Sequence, residues 1–147
     1  MISEFERYHG QVLRGLICEV AKPLMIEDCD AHGRRNSFLV NKSVVIYIKH
    51  STKRLSPWSF TFNRDHMYEL VELARLGDCF IVLVCGIDGN AVVSLKALTA
   101  LLNGCESKSA FVRVSRKRNS MYAVYGPDGK LERQVARGLG PVVQAID

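Results

Sequence analysis

The chain lacks most of the features that disclose a function quickly. It has no long hydrophobic run. The longest strongly apolar stretch, Cys79 to Cys85, falls far short of the ~20 residues needed to span a bilayer. Its opening residues, Met-Ile-Ser-Glu-Phe-Glu, lack the basic-then-apolar pattern of a secretory leader. The five cysteines (Cys18, Cys29, Cys79, Cys85 and Cys105) are odd in number and share no CxxC spacing. That speaks against a disulfide framework and for a reducing compartment. A soluble, cytoplasmic protein without a membrane partner is therefore expected. No GxSxG, no Walker loop and no Cys–His pair in a recognisable context is present. Gly86-Ile87-Asp88-Gly89 reads as a turn and not a phosphate cradle, because no helix start follows it. There is no internal repeat, low-complexity tract or linker.

One further absence is more informative. Residues 42–64 contain Lys42, Lys49, Lys53, Arg54 and Arg64 and no acid, and residues 107–120 contain Lys108, Arg113, Arg116, Lys117 and Arg118 and no acid. Each block carries +5, which leaves −5 for the remainder of a chain whose net charge is +5. Segregation of this kind points to an anionic partner, with nucleic acid the commonest and an acidic protein the alternative. Two plainly solvated cationic loops are the bland alternative.

What is present describes an ordinary globular domain. A chain of 147 residues with 48% hydrophobic and 24% charged residues is long enough to bury one core without staples. Ser3 to Ala21 carries apolar residues at three- and four-residue steps, with Ser3 and Glu6 forming a capping-box pattern and Pro23 as a stop. Leu24 to Glu27 reads as a short strand. Phe38–Val40 and Val44–Ile48 flank a turn and predict a hairpin, whose second strand is apolar on both faces and so central. Trp58 to Phe62 alternates, with Trp58, Phe60 and Phe62 on one face. Asn63 caps a second helix that ends by Gly77, Cys79–Cys85 is a buried strand, and Ala91–Ser94 returns as another. Ser94 caps a short helix through Leu102. Strands follow at Ala110–Ser115, Met121–Tyr125 and Lys130–Val135, and a Gly- and Pro-interrupted tail from Gly138 reads as loose. The expected fold is mixed α/β (α+β), a single domain with a central mixed sheet flanked by helices.

The order helix, short strand, hairpin, helix, buried strand over residues 3–85 resembles the PD-(D/E)XK, or restriction-endonuclease-like, fold, with the later strands as additions. The resemblance implies a nuclease-like scaffold on which a helical acid, an Asp and a Glu-x-Lys strand hold Mg²⁺ and a scissile phosphate. Carried over by position, Lys49 matches the motif lysine, Tyr47 stands where its acid belongs, Asn36 is the counterpart of the Asp, and Glu19 or Glu4 serves as the helical acid. Neutral groups thus fill two carboxylate positions, which points to a nucleic-acid binder whose cleavage chemistry is degraded or unconventional. A non-enzymatic interaction module and a Mg²⁺-dependent nuclease are the alternatives. Ile46–Phe62, with Phe80–Gly89 and Met121–Gly129, is also similar to segments of a group of small uncharacterised bacterial proteins, which implies no activity.

Read from the residues themselves, Lys49, His50, Lys53 and Arg54 are phosphate-contact candidates, with Ser51, Thr52 and Ser56 as short donors. Arg116, Lys117 and Arg118 form the second cluster. Trp58 is a candidate for stacking on a base, although burial habits favour a core role. Glu27-Asp28-Cys29-Asp30-Ala31-His32 gathers metal-capable side chains, but without the ligand spacing zinc requires. Asp28 or Asp30 would be a displaced acid for a nuclease-like site. His50 and His66 have the chemistry for metal-free RNA cleavage, and nothing in the sequence places them together.

Overall fold

The computed structural model describes residues 1–29, 35–102, 109–127 and 129–147. Helix α1 (Glu4–Glu19) starts at a reciprocal capping box, in which the Ser3 hydroxyl accepts the Glu6 amide and the Glu6 carboxylate accepts the Ser3 amide. Its Val12 and Leu16 are buried. Strands β1 (Ile26–Asp28), β2 (Ser37–Val40) and β3 (Val44–Ser51) form an antiparallel meander. Asn41 and Lys42 turn the chain between β2 and β3 at positive φ, the geometry of tight hairpin loops.

Strand β5 (Asp78–Cys85) runs parallel to β3, and β6 (Gly89–Ser94) returns antiparallel to β5. This gives a five-stranded mixed sheet in the order β1-β2-β3-β5-β6. Both faces of β3 and β5 are covered, which is why their sequences are apolar without alternation. Strand β4 (Trp58–Phe62) leaves that sheet and pairs with β7 (Ala110–Ser115), followed by β8 (Ala123–Gly126) and β9 (Gly129–Lys130). The molecule therefore has two sheets where the sequence suggested one central sheet with additions.

Three layers result. On one side of the five-stranded sheet, α1 and α4 (Gly140–Ile146) pack Val12, Leu16, Leu139, Val142 and Ile146 onto Ile46, Ile48, Val82 and Val84. On the other side, Tyr47, Ile81 and Leu83 face Trp58, Phe60, Phe62, Val112 and Val114 of the second sheet. Helices α2 (Arg64–Leu73) and α3 (Leu95–Leu101) close this second core with Leu70, Leu73, Leu98 and Leu101. The outward positions of the four-stranded sheet stay in solvent.

Two expectations are corrected here. The tail from Gly138 is not loose, because Leu139, Val142 and Ile146 fall on one buried face of α4, and the proline near its start suits a first helical turn. The strand expected over 130–135 is shorter, since β9 ends at Lys130, after which the Leu131 amide donates to the Val124 carbonyl and Val135 makes an isolated bridge to Tyr122. Burial pushes the Cys79 and Cys85 thiols up to about 12, so both behave as inert core groups. No helix among the described residues is long and apolar enough to cross a membrane.

Candidate functional site

The end of β3 opens into a cleft of about 330 Å³ lined by Phe5, Asn36, Ile48, Lys49, His50 and His66. Neighbouring residues of a strand point to opposite faces, so Lys49 faces the second sheet and His50 faces α1. The Lys49 ammonium donates to the Thr61 carbonyl and lies 4.4 Å from the centre of the Phe62 ring. His66 Nδ1 is 3.4 Å from it and also accepts the Asn63 amide at 3.2 Å. Acceptance at Nδ1 places the proton of the neutral imidazole on Nε2. The same residues form the capping box of α2, which fixes the ring. On the opposite side, the His50 ring stacks on Tyr8 at 4.4 Å and meets Phe5 edge-on at 5.3 Å. Its Nε2 lies 3.7 Å from a Glu4 carboxylate oxygen. The two histidines that the sequence left apart thus line one cleft with Lys49.

The carried-over nuclease positions separate. Asn36 lines the cleft beside Lys49. Tyr47 shares the face of Lys49 but is wholly buried between the sheets, so it has no place at the cleft surface. Glu19 is exposed at the far end of α1. At 1.5 Å per residue it lies roughly 22 Å from Glu4, and Glu4 is the helical acid that meets a cleft residue, His50. These donors do not suit Mg²⁺, which is held through several hard oxygens, carboxylates foremost. The cleft lining offers one amide and two imidazoles beside an ammonium, and the Glu4 carboxylate reaches it only through His50. Among the described residues no three His, Cys, Asp or Glu side chains gather to hold a metal ion. Asp28 lines a separate groove beside His9 and Arg35, while Asp30 and His32 lie outside the described residues. Sequence reading also missed Glu69, 1% exposed and one helical turn beyond His66 on the buried face of α2. Its only signal is an acid within the apolar stripe that Leu70 and Leu73 continue.

The two basic blocks meet away from this cleft. The Arg116 amide donates to the Ser56 hydroxyl at 3.0 Å, joining the segment ahead of β4 to the end of β7. The Trp58 indole N–H donates to the Lys53 carbonyl at 2.8 Å. Gly86, at φ +55°, lets that carbonyl approach, because a Cβ there would collide with it. The Lys53–Ser56 segment is thereby tied to the chain at Arg116, and Lys53, Arg54, Lys117 and Arg118, each within three residues of that bond, are all exposed. Lys42 lies at the opposite end of β3, so the first block does not form one continuous face.

Two residues expected at a nucleic acid have other roles. Trp58 is 2% exposed and belongs to the core between the sheets, so it cannot stack on a base. Arg116 turns inward and binds Asp88 through two bonds of 2.8 and 2.7 Å. The buried Tyr122 hydroxyl donates to the same carboxylate at 2.6 Å. The Arg116 hydrogen bond, aided by Tyr122, holds the Asp88 carboxyl below its ordinary range, while burial and the Asp88 bond push the Tyr122 phenol upward. This trio ties the β5–β6 turn to the second sheet.

No protein-family model matches the chain, and no curated protein or solved structure does so either.

Proposed function

We propose that this protein binds nucleic acid through the cationic rim where its two acid-free segments meet. The Ser56–Arg116 bond carries the reading, because it joins segments some 60 residues apart in sequence and brings together the stretches that hold the exposed Lys53, Arg54, Lys117 and Arg118. A rim of four exposed cations gains nothing structurally, whereas it suits a phosphate backbone, where each neutralised phosphate releases counterions. The restriction-endonuclease-like resemblance bears on the scaffold alone. With Tyr47 buried and Glu19 remote, binding rather than Mg²⁺-dependent cleavage is the activity that fits. The free thiols of Cys18, Cys29, Cys79 and Cys85 suit a cytoplasmic setting.

Fluorescence anisotropy with labelled DNA and RNA tests this directly. Affinity should fall steeply with salt, and removing all four rim cations (K53A/R54A/K117A/R118A) should flatten the log–log salt slope by about 3. If neither nucleic acid binds at low salt, the reading is wrong. Recovery of one stoichiometric protein without nucleic acid would instead favour an acidic protein partner.

The shared cleft favours a second reading. His50 and His66, which line this cleft with Lys49, have the groups for RNA cleavage without metal, one histidine taking the 2′-hydroxyl proton and the other protonating the leaving oxygen. RNA incubated with the protein in chelator should then be cut, and His50→Ala or His66→Ala should each abolish cutting. Intact RNA after incubation with the unmodified protein dismisses this second reading.

A further inference from the structure

The outer face of the four-stranded sheet is unusual for a solvent-facing surface. Residues directly opposite in an antiparallel pair share a face, so the pairs Ser59↔Arg113, Arg113↔Tyr125 and Tyr125↔Lys130 place those four side chains in one row across the sheet. Thr61↔Phe111 forms the next row along β4 and β7. Phe111 is 55% exposed and Tyr125 39%. The inward residues of the same strands, Trp58, Phe60, Val112, Val114 and Val124, are all buried, so the aromatics stand outward by register. Among the described residues, the outward positions of the sheet carry two cations, two aromatics and several hydroxyls or small groups, with no carboxylate.

The face continues into the cationic rim. Along β7 the outward residues run Phe111, Arg113 and Ser115 toward Lys117, and the Ser56–Arg116 bond brings in Lys53 and Arg54 at that end. Diagonal neighbours on adjacent strands lie about 7–8 Å apart, which leaves each ring accessible from above.

We infer that this face is a stacking platform for single-stranded nucleic acid, with bases laid on Phe111 and Tyr125 and the backbone tracked by Arg113, Lys130 and the rim. Duplex bases are stacked on one another and cannot reach flat aromatic side chains, whereas unpaired bases can. Positive charge without acids selects a polyanion over a second copy of this basic chain, since two like faces would repel. The inference rests on the nucleic-acid reading and names its substrate class.

The test is anisotropy with labelled 12-mer RNA and DNA, each as single strand and as duplex, together with the oligomeric state of the protein alone. Single strands should bind more tightly than duplexes. Phe111→Ala and Tyr125→Ala should each weaken single-strand binding by about tenfold while duplex binding stays within twofold. Tyr125→Phe should retain affinity, because it keeps the ring. Circular dichroism melts of the variants should match the parent, both side chains being exposed. Duplex binding that equals or exceeds single-strand binding, or single-strand binding indifferent to both alanine variants, overturns the platform and leaves the rim reading standing. Absence of all binding at low salt removes both. A dimer that Phe111→Ala dissociates, with single-strand affinity unchanged, assigns the face to a second copy and overturns the inference.

Discussion

The cations of this protein fall into two groups that the sequence does not distinguish. Lys49 and Arg116 sit inside the basic blocks, yet both are bound into the fold, one to the Thr61 carbonyl and the Phe62 ring, the other to Asp88. Lys53, Arg54, Lys117 and Arg118 stand within a few residues of them and are exposed. Identical charge serves architecture in the first group and remains open to a ligand in the second. The deciding factor is which polar or aromatic group the tertiary fold delivers to each side chain. Charge segregation in the sequence therefore does not distinguish the cations that the fold consumes from those it leaves exposed.

That contrast can be tested through stability. The largest expected effect is at Trp58, which anchors the Lys53 segment from inside the core. Trp58→Ala should destabilise the fold by about 3–5 kcal/mol in chemical denaturation, where a surface base-stacking residue would change little. Lys49→Ala should cost about 1–2 kcal/mol through the lost ring and carbonyl contacts, with nucleic-acid affinity nearly unchanged. A large affinity loss at preserved stability would move Lys49 into the exposed group. Tyr122→Phe should cost about 1–2 kcal/mol, since it removes a buried hydroxyl's bond to a carboxylate.

Acid should act on the internal polar groups next. The unfolded Asp88 carboxyl has a reference pKa of 3.8 and the folded one lies lower, so its stabilisation is complete above that value and is lost as pH falls through the folded pKa. Burial, with His50 nearby opposing the charge and Asp28 partly offsetting, lowers the His9 pKa from 6.5. Below pH 6.5 the unfolded chain takes up that proton first, so stability declines there too. Melting temperature against pH should show both declines, the upper one absent in His9→Phe and the lower one in Asp88→Asn. The smallest effect belongs to the rim. The combined K53A/R54A/K117A/R118A variant should stay within about 0.5 kcal/mol per site of the parent while the salt dependence of its binding flattens.

Local signals carried most of the elements. The α1 capping box, the apolar β3 and β5, and the strict alternation of Trp58–Phe62 were legible because each is decided by neighbours in sequence. The second sheet was not, since β4 finds its partner β7 far along the chain, Trp58 opposite Val114. Helix α4 was obscured by Gly138, Gly140 and Pro141, although Leu139, Val142 and Ile146 held a helical spacing. The site followed the same division. The meeting of the basic segments depends on the Ser56–Arg116 bond, and the shared cleft of His50 and His66 on the approach of the α2 start to Lys49 at the end of β3. The outward pairing of Phe111 and Arg113 was present in the alternation Ala110-Phe-Val-Arg-Val-Ser, but its meaning waited on knowing which face is wet.

The Lys49 contact also bears on how the chain avoids its own kind. Strand β4 is the terminal strand of its sheet, and such a strand offers open backbone groups to any passing β-segment, a common origin of aggregates. By holding the Thr61 carbonyl and setting a charge beside Phe62, Lys49 occupies one of those groups and makes edge-to-edge growth there unfavourable. A lysine placed like part of a ligand site thereby meets the edge of the second sheet, and Lys49→Ala is expected to raise aggregation, read by light scattering, more than its loss of stability alone accounts for.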